Sequence, residues 1–237
     1  MGTVYNLTLR QISGRWRIAI MTILASMPVL IAILMLRSKD APSVTDFETA
    51  ILSTMLAGSI APLVVLAIAA ASFGHEVEDR TLANLTLSPV PRWQLALPKF
   101  LAVMTIAGPF IAASAFLTSY IAFLGDATAT AAVTISAIAG VAMYAALFVW
   151  LGLVSTQAIA VGVFYIVLWE GFFSGFISGV RLLSIRHYAV GIMHGIDERR
   201  FREITHLEPW VAVLMTTIVV GGFIGLTIRR LRRMDVP

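Results

Sequence analysis

Long apolar runs constrain the fold of this chain more than any other feature. Six runs are long enough to cross the hydrocarbon core of a bilayer, which takes about 20 mainly apolar residues of helix. They cover approximately residues 18–36, 49–73, 100–124, 128–154, 157–177 and 209–228. Only 13% of the residues are charged, against about 25% in a soluble globular domain. The sequence therefore predicts an all-α integral membrane protein, with residues 1–237 forming a single transmembrane domain of six helices.

The distribution of Lys and Arg predicts the orientation of the spans. With the N-terminus inside, ten of the 17 basic residues lie on the inner side and seven on the outer side. Five of those seven fall in one long outer loop, where the positive-inside rule weakens. We therefore expect a multi-pass protein of the cell membrane with both termini in the cytoplasm. The Arg cluster at 229–233 is suited to contact with anionic inner-leaflet lipid.

Two segments next to the spans are predicted to be helical outside the membrane core. Residues 4–17 place Val4, Leu7, Ile12 and Trp16 among polar and basic residues, which is typical of a short amphipathic helix in the interface. Residues 178–208, between spans five and six, mix apolar and charged side chains. We expect short amphipathic helices there, covering the outer end of the spans, and the alternative is a solvated loop.

Glu170 is the one carboxylate inside a predicted span. A charge in the membrane is costly unless it faces a cavity or finds a partner. At about 1.5 Å per residue it lies roughly 20 Å above Gln157, in the outer half of a core about 30 Å thick. We consider it a candidate for the substrate path or the outer gate. The alternative is a structural carboxylate that forms hydrogen bonds where span five bends toward the outer segment.

Small residues recur every four positions in the last two spans. Gly171, Gly175 and Gly179 form one such row, and Gly221 with Gly225 forms another. Such rows let helices approach each other closely. We expect both to pack within the subunit, and contact with a second copy is the alternative.

The usual signatures of catalysis and of metal binding are missing from the sequence. Neither lysine stands in a phosphate-binding loop of the type G-x-x-x-x-G-K-[ST], and the motifs H-E-x-x-H and G-x-S-x-G do not occur. Three of the four histidines, His187, His194 and His206, fall near acidic residues of the outer segment, but their spacing is irregular. We therefore expect neither a metal nor a cofactor in this chain. The alternative is a membrane-embedded enzyme that uses Glu170 and these histidines.

Residues 74–99, on the inner side between spans two and three, form a charged segment bounded by apolar runs. Read as a helix from about His75 to Leu87, the segment is modestly amphipathic, and Pro89 ends it. Trp93 is then suited to an interface anchor, and Lys99 to extending its ammonium group toward the interface. On these residues alone, a surface helix that links two spans and a helix that binds a partner are equally consistent.

The residues of this segment resemble the pattern E-x-E-x-x-T-L-x-x-L-x-x-x-P-[LV]-x-R-W-x(5)-x-K of the permease subunits of type-two, exporter-type ABC transporters. The matching positions are Glu76, Glu78, Thr81, Leu82, Leu85, Pro89, Val90, Arg92, Trp93 and Lys99. Arg80 and Pro98 stand where glycine is frequent in that family. The six spans, the N-terminal interface helix, the outer helical element and the basic C-terminus are also similar, so the resemblance covers essentially the whole chain.

The resemblance implies that the inner segment is a coupling helix, which binds in a groove of a separate ATPase subunit. The residues that it assigns to partner contact are Glu76, Glu78, Arg80, Thr81, Leu82 and Leu85. It further implies a second permease copy, or a related permease, and ATP with Mg²⁺ bound by the ATPase subunits. We expect no nucleic-acid partner. Two alternatives are the haem exporter permease of cytochrome-c maturation and a non-transporting scaffold that recruits a soluble protein.

Overall fold

The regular structure of the described residues is helical throughout, which confirms the predicted all-α class. A computed structural model describes residues 2–37, 47–78, 91–174, 183–202 and 207–233. In chain order the helices are α1 (Gly2–Ile12), α2 (Arg15–Arg37), α3 (Glu48–Ile60), α4 (Ala61–Glu78), α5 (Trp93–Ala122), α6 (Ala127–Val154), α7 (Ala158–Phe164), α8 (Tyr165–Phe173), α9 (Ile185–Ile196) and α10 (Pro209–Arg233). Helices α3 and α8 are π-helical; α3 continues into α4, and α7 into α8, through residues of helical conformation.

Five of the helical segments are long and apolar enough to cross a membrane. They are Arg15–Arg37, Ala50–Gly74, Trp93–Ala122, Ala127–Val154 and Pro209–Arg233. These segments coincide with five of the six predicted spans. The predicted fifth span corresponds to the shorter apolar helix Ala158–Phe173, formed by α7 and α8. The chain is therefore a multi-pass membrane protein.

The third predicted span begins earlier than the apolar run indicates. Helix α5 starts at Trp93 rather than near residue 100, and it includes Pro98 and Lys99. The polar residues that shorten the apolar run are thus part of the helix. The reason is that Lys99 is buried against α4, so this cation does not mark the end of the span.

Helix α1 lies against α5 at the predicted inner end of the molecule. The Tyr5 hydroxyl is 2.9 Å from the Thr105 hydroxyl of α5. Thr8 and Ile12 are buried, whereas Leu7 is exposed. One side of this short helix therefore packs on the protein, and the other leaves an apolar side chain free to enter a lipid interface.

Helix α6 is the centre of the bundle, and it packs against α4, α5, α9 and α10. In the α3–α4 segment and in α6, 67% of the apolar part of the span is buried within the protein. The corresponding share is 22% in α2 and 11% in α10. Small residues allow the closest of these approaches. A Cβ atom at Gly152 of α6 would lie 2.7 Å from the carbonyl oxygen of Ala70 in α4. The backbones of α4 and α6 therefore touch directly.

The glycine row of the last span does not take part in such packing. Cβ atoms built at Gly221 and Gly225 would meet nothing within 4 Å. The prediction that this row packs within the subunit is therefore wrong, because α10 turns these positions away from α6. Gly171 would meet the carbonyl of Ile166 in its own helix at 3.5 Å, and Gly175 and Gly179 lie outside the described residues.

The close approach of α4 and α6 predicts that even one methyl group at position 152 destabilises the protein. We expect Gly152→Ala to lower the midpoint of thermal unfolding in detergent, since an overpacked core position costs about 1–3 kcal/mol. Gly140→Ala, on the same helix, is the matched control, because its Cβ would lie at an ordinary 3.7 Å from the nearest side chain. Equal midpoints for the two variants would contradict the direct contact of the two backbones.

Candidate functional site

The carboxylate of Glu170, on α8, is fully buried and accepts four hydrogen bonds. Oε1 accepts from the Tyr165 hydroxyl at 2.9 Å and from the Ile185 backbone N–H at 2.9 Å. Oε2 accepts from the Ser184 hydroxyl at 2.6 Å and from the Arg186 backbone N–H at 3.4 Å. We name these five residues the Glu170 cluster. It joins α8 to the first turn of α9.

Glu170 serves as the N-terminal cap of α9 from a different helix. The first backbone N–H groups of a helix have no partner within it, and an adjacent side chain normally accepts from them. Ser184 stands at the capping position, but it makes no capping bond of its own and donates to Glu170 instead. The carboxyl group thus lies at the positive end of the α9 dipole. This arrangement stabilises the carboxylate and the start of α9 together.

Arg186 extends the site from α9 to α3, the first half of span two. Its Nε donates to the Ser53 hydroxyl at 3.2 Å, and its Nη2 donates to the Thr54 hydroxyl at 3.0 Å. Both acceptors belong to the π-helical segment α3. Beneath them, the hydroxyl of Tyr144 in α6 donates to the carbonyl of Ala57 at 3.3 Å. The site therefore connects α3, α8 and α9, and it lies over α6.

Residues after α9 are held by the turn between α5 and α6. Phe201 is fully buried, and its ring packs edge-on against Phe123 with centroids 5.8 Å apart. The Arg200 guanidinium lies 4.2 Å from the centre of the Phe123 ring and 3.8 Å from a carboxylate oxygen of Asp126. In the described part of residues 178–208, the chain is therefore a helix and a turn that pack on the spans.

The two described outer histidine side chains take part in local hydrogen bonds. His187 is buried, and its Nδ1 is 3.0 Å from the Ser184 hydroxyl. Nδ1 of His194 is 3.2 Å from the Phe201 carbonyl oxygen. His206 and the side chain of His75 lie outside the described residues. Among the side chains that are described, no three potential metal ligands are grouped.

The predicted partner-binding residues fall at the edge of what the structure describes. The backbone of Glu76 and Glu78 forms the end of α4, but their side chains are not described. Arg80, Thr81, Leu82 and Leu85 lie outside the described residues. The chain is described again from residue 91, and Trp93 at the start of α5 is 43% exposed, as an interface anchor requires.

Lys99 does not extend toward the interface, and that prediction is wrong. Its side chain is 1% exposed. The ammonium group donates to the backbone carbonyl of Ser72 and lies 4.1 Å from the centre of the Phe73 ring. A buried cation needs such partners, and the end of span two supplies them. The hydrogen bond of Lys99 therefore joins α5 directly to α4, the two helices that the inner segment connects.

Sequence reasoning identified Glu170 but missed Tyr165 and Ser184, and it counted Arg186 only as an outer charge. One local signal was available. A serine directly before the apolar pattern of α9 is a typical helix start, and it would have placed a helix N-terminus beside span five.

Comparison with known proteins identifies the family of the chain. A family model described as ABC-2 family transporter protein matches residues 9–185, which is most of the chain. The matched region includes the inner segment, Glu170 and Ser184. No curated protein matches the chain.

The capping role of Glu170 predicts that Glu170→Gln loosens the start of α9. An amide oxygen can replace one acceptor, but the amide nitrogen cannot accept from the remaining donors. We expect faster hydrogen exchange at residues 185–188, by roughly tenfold for each 1.4 kcal/mol of lost stability. Glu208→Gln is the matched control, since Glu208 is exposed just before α10. Exchange at 185–188 that is the same in both variants would refute the cap.

Proposed function

Because the chain belongs to the ABC-2 family of transporter proteins, we propose that it is the permease subunit of an exporter. Membership makes the chain a membrane permease of an ABC transporter, a type of protein that works with ABC ATPase subunits. We propose further that two permease copies, identical or related, form the substrate path between them. The observation that carries the proposal is the family match over residues 9–185.

We propose that the chemistry belongs to the ATPase subunits. ATP and Mg²⁺ would bind there, since the permease sequence has no phosphate-binding loop. Closure of the ATPases around ATP would move the inner segment, with Glu76, Glu78, Arg80, Thr81, Leu82 and Leu85 in contact with the partner. The bond from Lys99 to the Ser72 carbonyl supports this proposal. It joins the two spans that the segment connects, so a force on the segment acts on both.

Glu170 is our proposed element of the outer gate. The carboxylate connects span five to α9, and α9 covers the outer half of α6. Movement of span five would therefore shift α9 and change access to the path from outside. The membrane orientation in this proposal has both termini in the cytoplasm, with α9 on the outer side of the cell membrane.

ATPase binding is tested with the double charge reversal Glu76→Lys and Glu78→Lys. The permease is co-expressed with a candidate ABC ATPase subunit, and the complex is purified through a tag on the permease. We expect the double variant to lose the ATPase, because reversed charges face the same partner surface.

The control for this experiment is Glu208→Lys, which reverses an exposed carboxylate on the proposed outer side. It should retain the ATPase at the level of the unaltered protein. Retention by the double variant would contradict the proposed contact. Retention without substrate-stimulated ATP hydrolysis in the unaltered complex would instead indicate a scaffold.

The orientation is tested with single introduced cysteines, because the chain has none of its own. Thr156→Cys lies in the turn between α6 and α7, and Leu124→Cys in the turn between α5 and α6; both positions are exposed. We expect a membrane-impermeant maleimide to label Leu124→Cys on intact cells, and Thr156→Cys only after the cells are opened. The opposite labelling pattern would reverse the proposed orientation.

A further inference from the structure

We infer that Arg186 is a positioning residue that fixes α9 to the outer half of span two, so that α9 and α3 move as one unit. The evidence for the attachment is the hydrogen bonds of Arg186, and it does not depend on the proposed function. Its role in opening the outer side rests on the proposed function.

The guanidinium group makes two separate contacts with α3. Nε and Nη2 donate to Ser53 and Thr54 at 3.2 and 3.0 Å, distances within the usual range for hydrogen bonds. The planar group presents its donors in a fixed fork, so two neighbouring hydroxyls define both its position and its direction. At the same residue, the backbone N–H donates to Glu170. Arg186 therefore contacts span two with its side chain and span five with its backbone.

The local shape of α3 leaves space for this side chain. A Cβ atom at Gly58 would lie 3.0 Å from Cδ of Arg186, so the arginine stem passes directly over the glycine. Ser53, Thr54 and Gly58 all belong to the π-helical segment. A side chain at position 58 would push the arginine away from its acceptors.

Part of the contact between α3 and α9 is apolar. Leu52 and Leu56 of α3 face Val190 and Met193 of α9 around a void of about 20 Å³. Apolar contact is not directional, so it defines a position less sharply than hydrogen bonds do. The hydrogen bonds of Arg186 are directional. They are the contacts of this interface that would hold α9 at one position along span two.

Span two connects this attachment to the inner segment. Helices α3 and α4 run without a break from Glu48 to Glu78, which lies inside the inner segment of residues 74–99. A shift of span two, driven from the inner side, would reach Ser53 and Thr54 through this continuous helix. With Arg186 in place, α9 would follow. The outer side would then open by movement of α9 together with span two, and not by release of α9 from it.

The test measures distances between spin labels on paired cysteines, which the cysteine-free chain permits. One pair, Ala50→Cys with Ile196→Cys, joins α3 to α9, and a second, Ala50→Cys with Ala127→Cys, joins α3 to α6; all three positions are exposed. In the full-length permease we expect a narrow α3–α9 distance distribution. Arg186→Gln should broaden it severalfold, and Arg186→Lys, which keeps the charge but loses the two-donor fork, should restore the narrow distribution only in part.

The attachment is tested from the other side by Ser53→Ala with Thr54→Val, which removes the acceptors and leaves Arg186 intact. This variant should broaden the α3–α9 distribution as Arg186→Gln does, and combining the two changes should add nothing further. Arg199→Gln is the control, since Arg199 is exposed in the turn after α9, and it should leave the distribution narrow. A narrow distribution in both Arg186→Gln and the hydroxyl variant would overturn the inference.

The role in opening is tested in the complex with the ATPase subunits, with and without bound ATP. We expect ATP to change the α3–α6 distance while the α3–α9 distance stays the same. An α3–α9 change as large as the α3–α6 change would overturn joint movement. If ATP changes neither distance, the proposed ATPase-driven function fails. The attachment of α9 to α3 is then still tested by the distance distributions of the Arg186 and hydroxyl variants measured without nucleotide.

Discussion

A carboxylate that has lost water needs several hydrogen-bond donors, and the position of α9 depends on how Glu170 obtains them. Two of its donors are hydroxyl groups, and two are backbone N–H groups at the start of α9. The first N–H groups of a helix lack acceptors, and a buried carboxylate lacks donors. Each group supplies what the other needs when α9 begins beside Glu170. From this starting point α9 contacts α3 through Arg186 and the start of α10 through Gly191, in addition to its packing against α6.

The spans were predictable because membrane thickness sets a minimum length for an apolar helix, and the length of an apolar run can be read directly from the sequence. The start of α5 was not predictable, because a lysine beside an apolar run normally marks the boundary of the span. Only the contacts of Lys99 with α4 show that the helix continues past it. The glycine row at 221 and 225 failed for a related reason. A row of small residues shows that close packing is possible, but not which side of the helix faces a neighbour.

The candidate site was predictable only in its central residue. Glu170 is conspicuous because carboxylates are rare in spans. Its partners at 184–186 belong to another helix, and their position depends on where α9 returns to the bundle. That return is decided by packing against α6 and by aromatic contacts such as Phe201 with Phe123. No spacing in the sequence encodes such contacts, so Arg186 could be counted as a charge but not assigned a partner.

The direct contact between Gly152 and Ala70 has a consequence for how the protein adapts to its bilayer. Helices α4 and α6 cannot move closer, and both are largely enclosed by their neighbours. Helices α2 and α10 are mostly exposed, with only 22% and 11% of their apolar stretches buried within the subunit. A mismatch between hydrophobic length and bilayer thickness is relieved by tilting helices. Thinner or thicker membranes will therefore change the tilt of α2 and α10, while the central pair keeps its geometry.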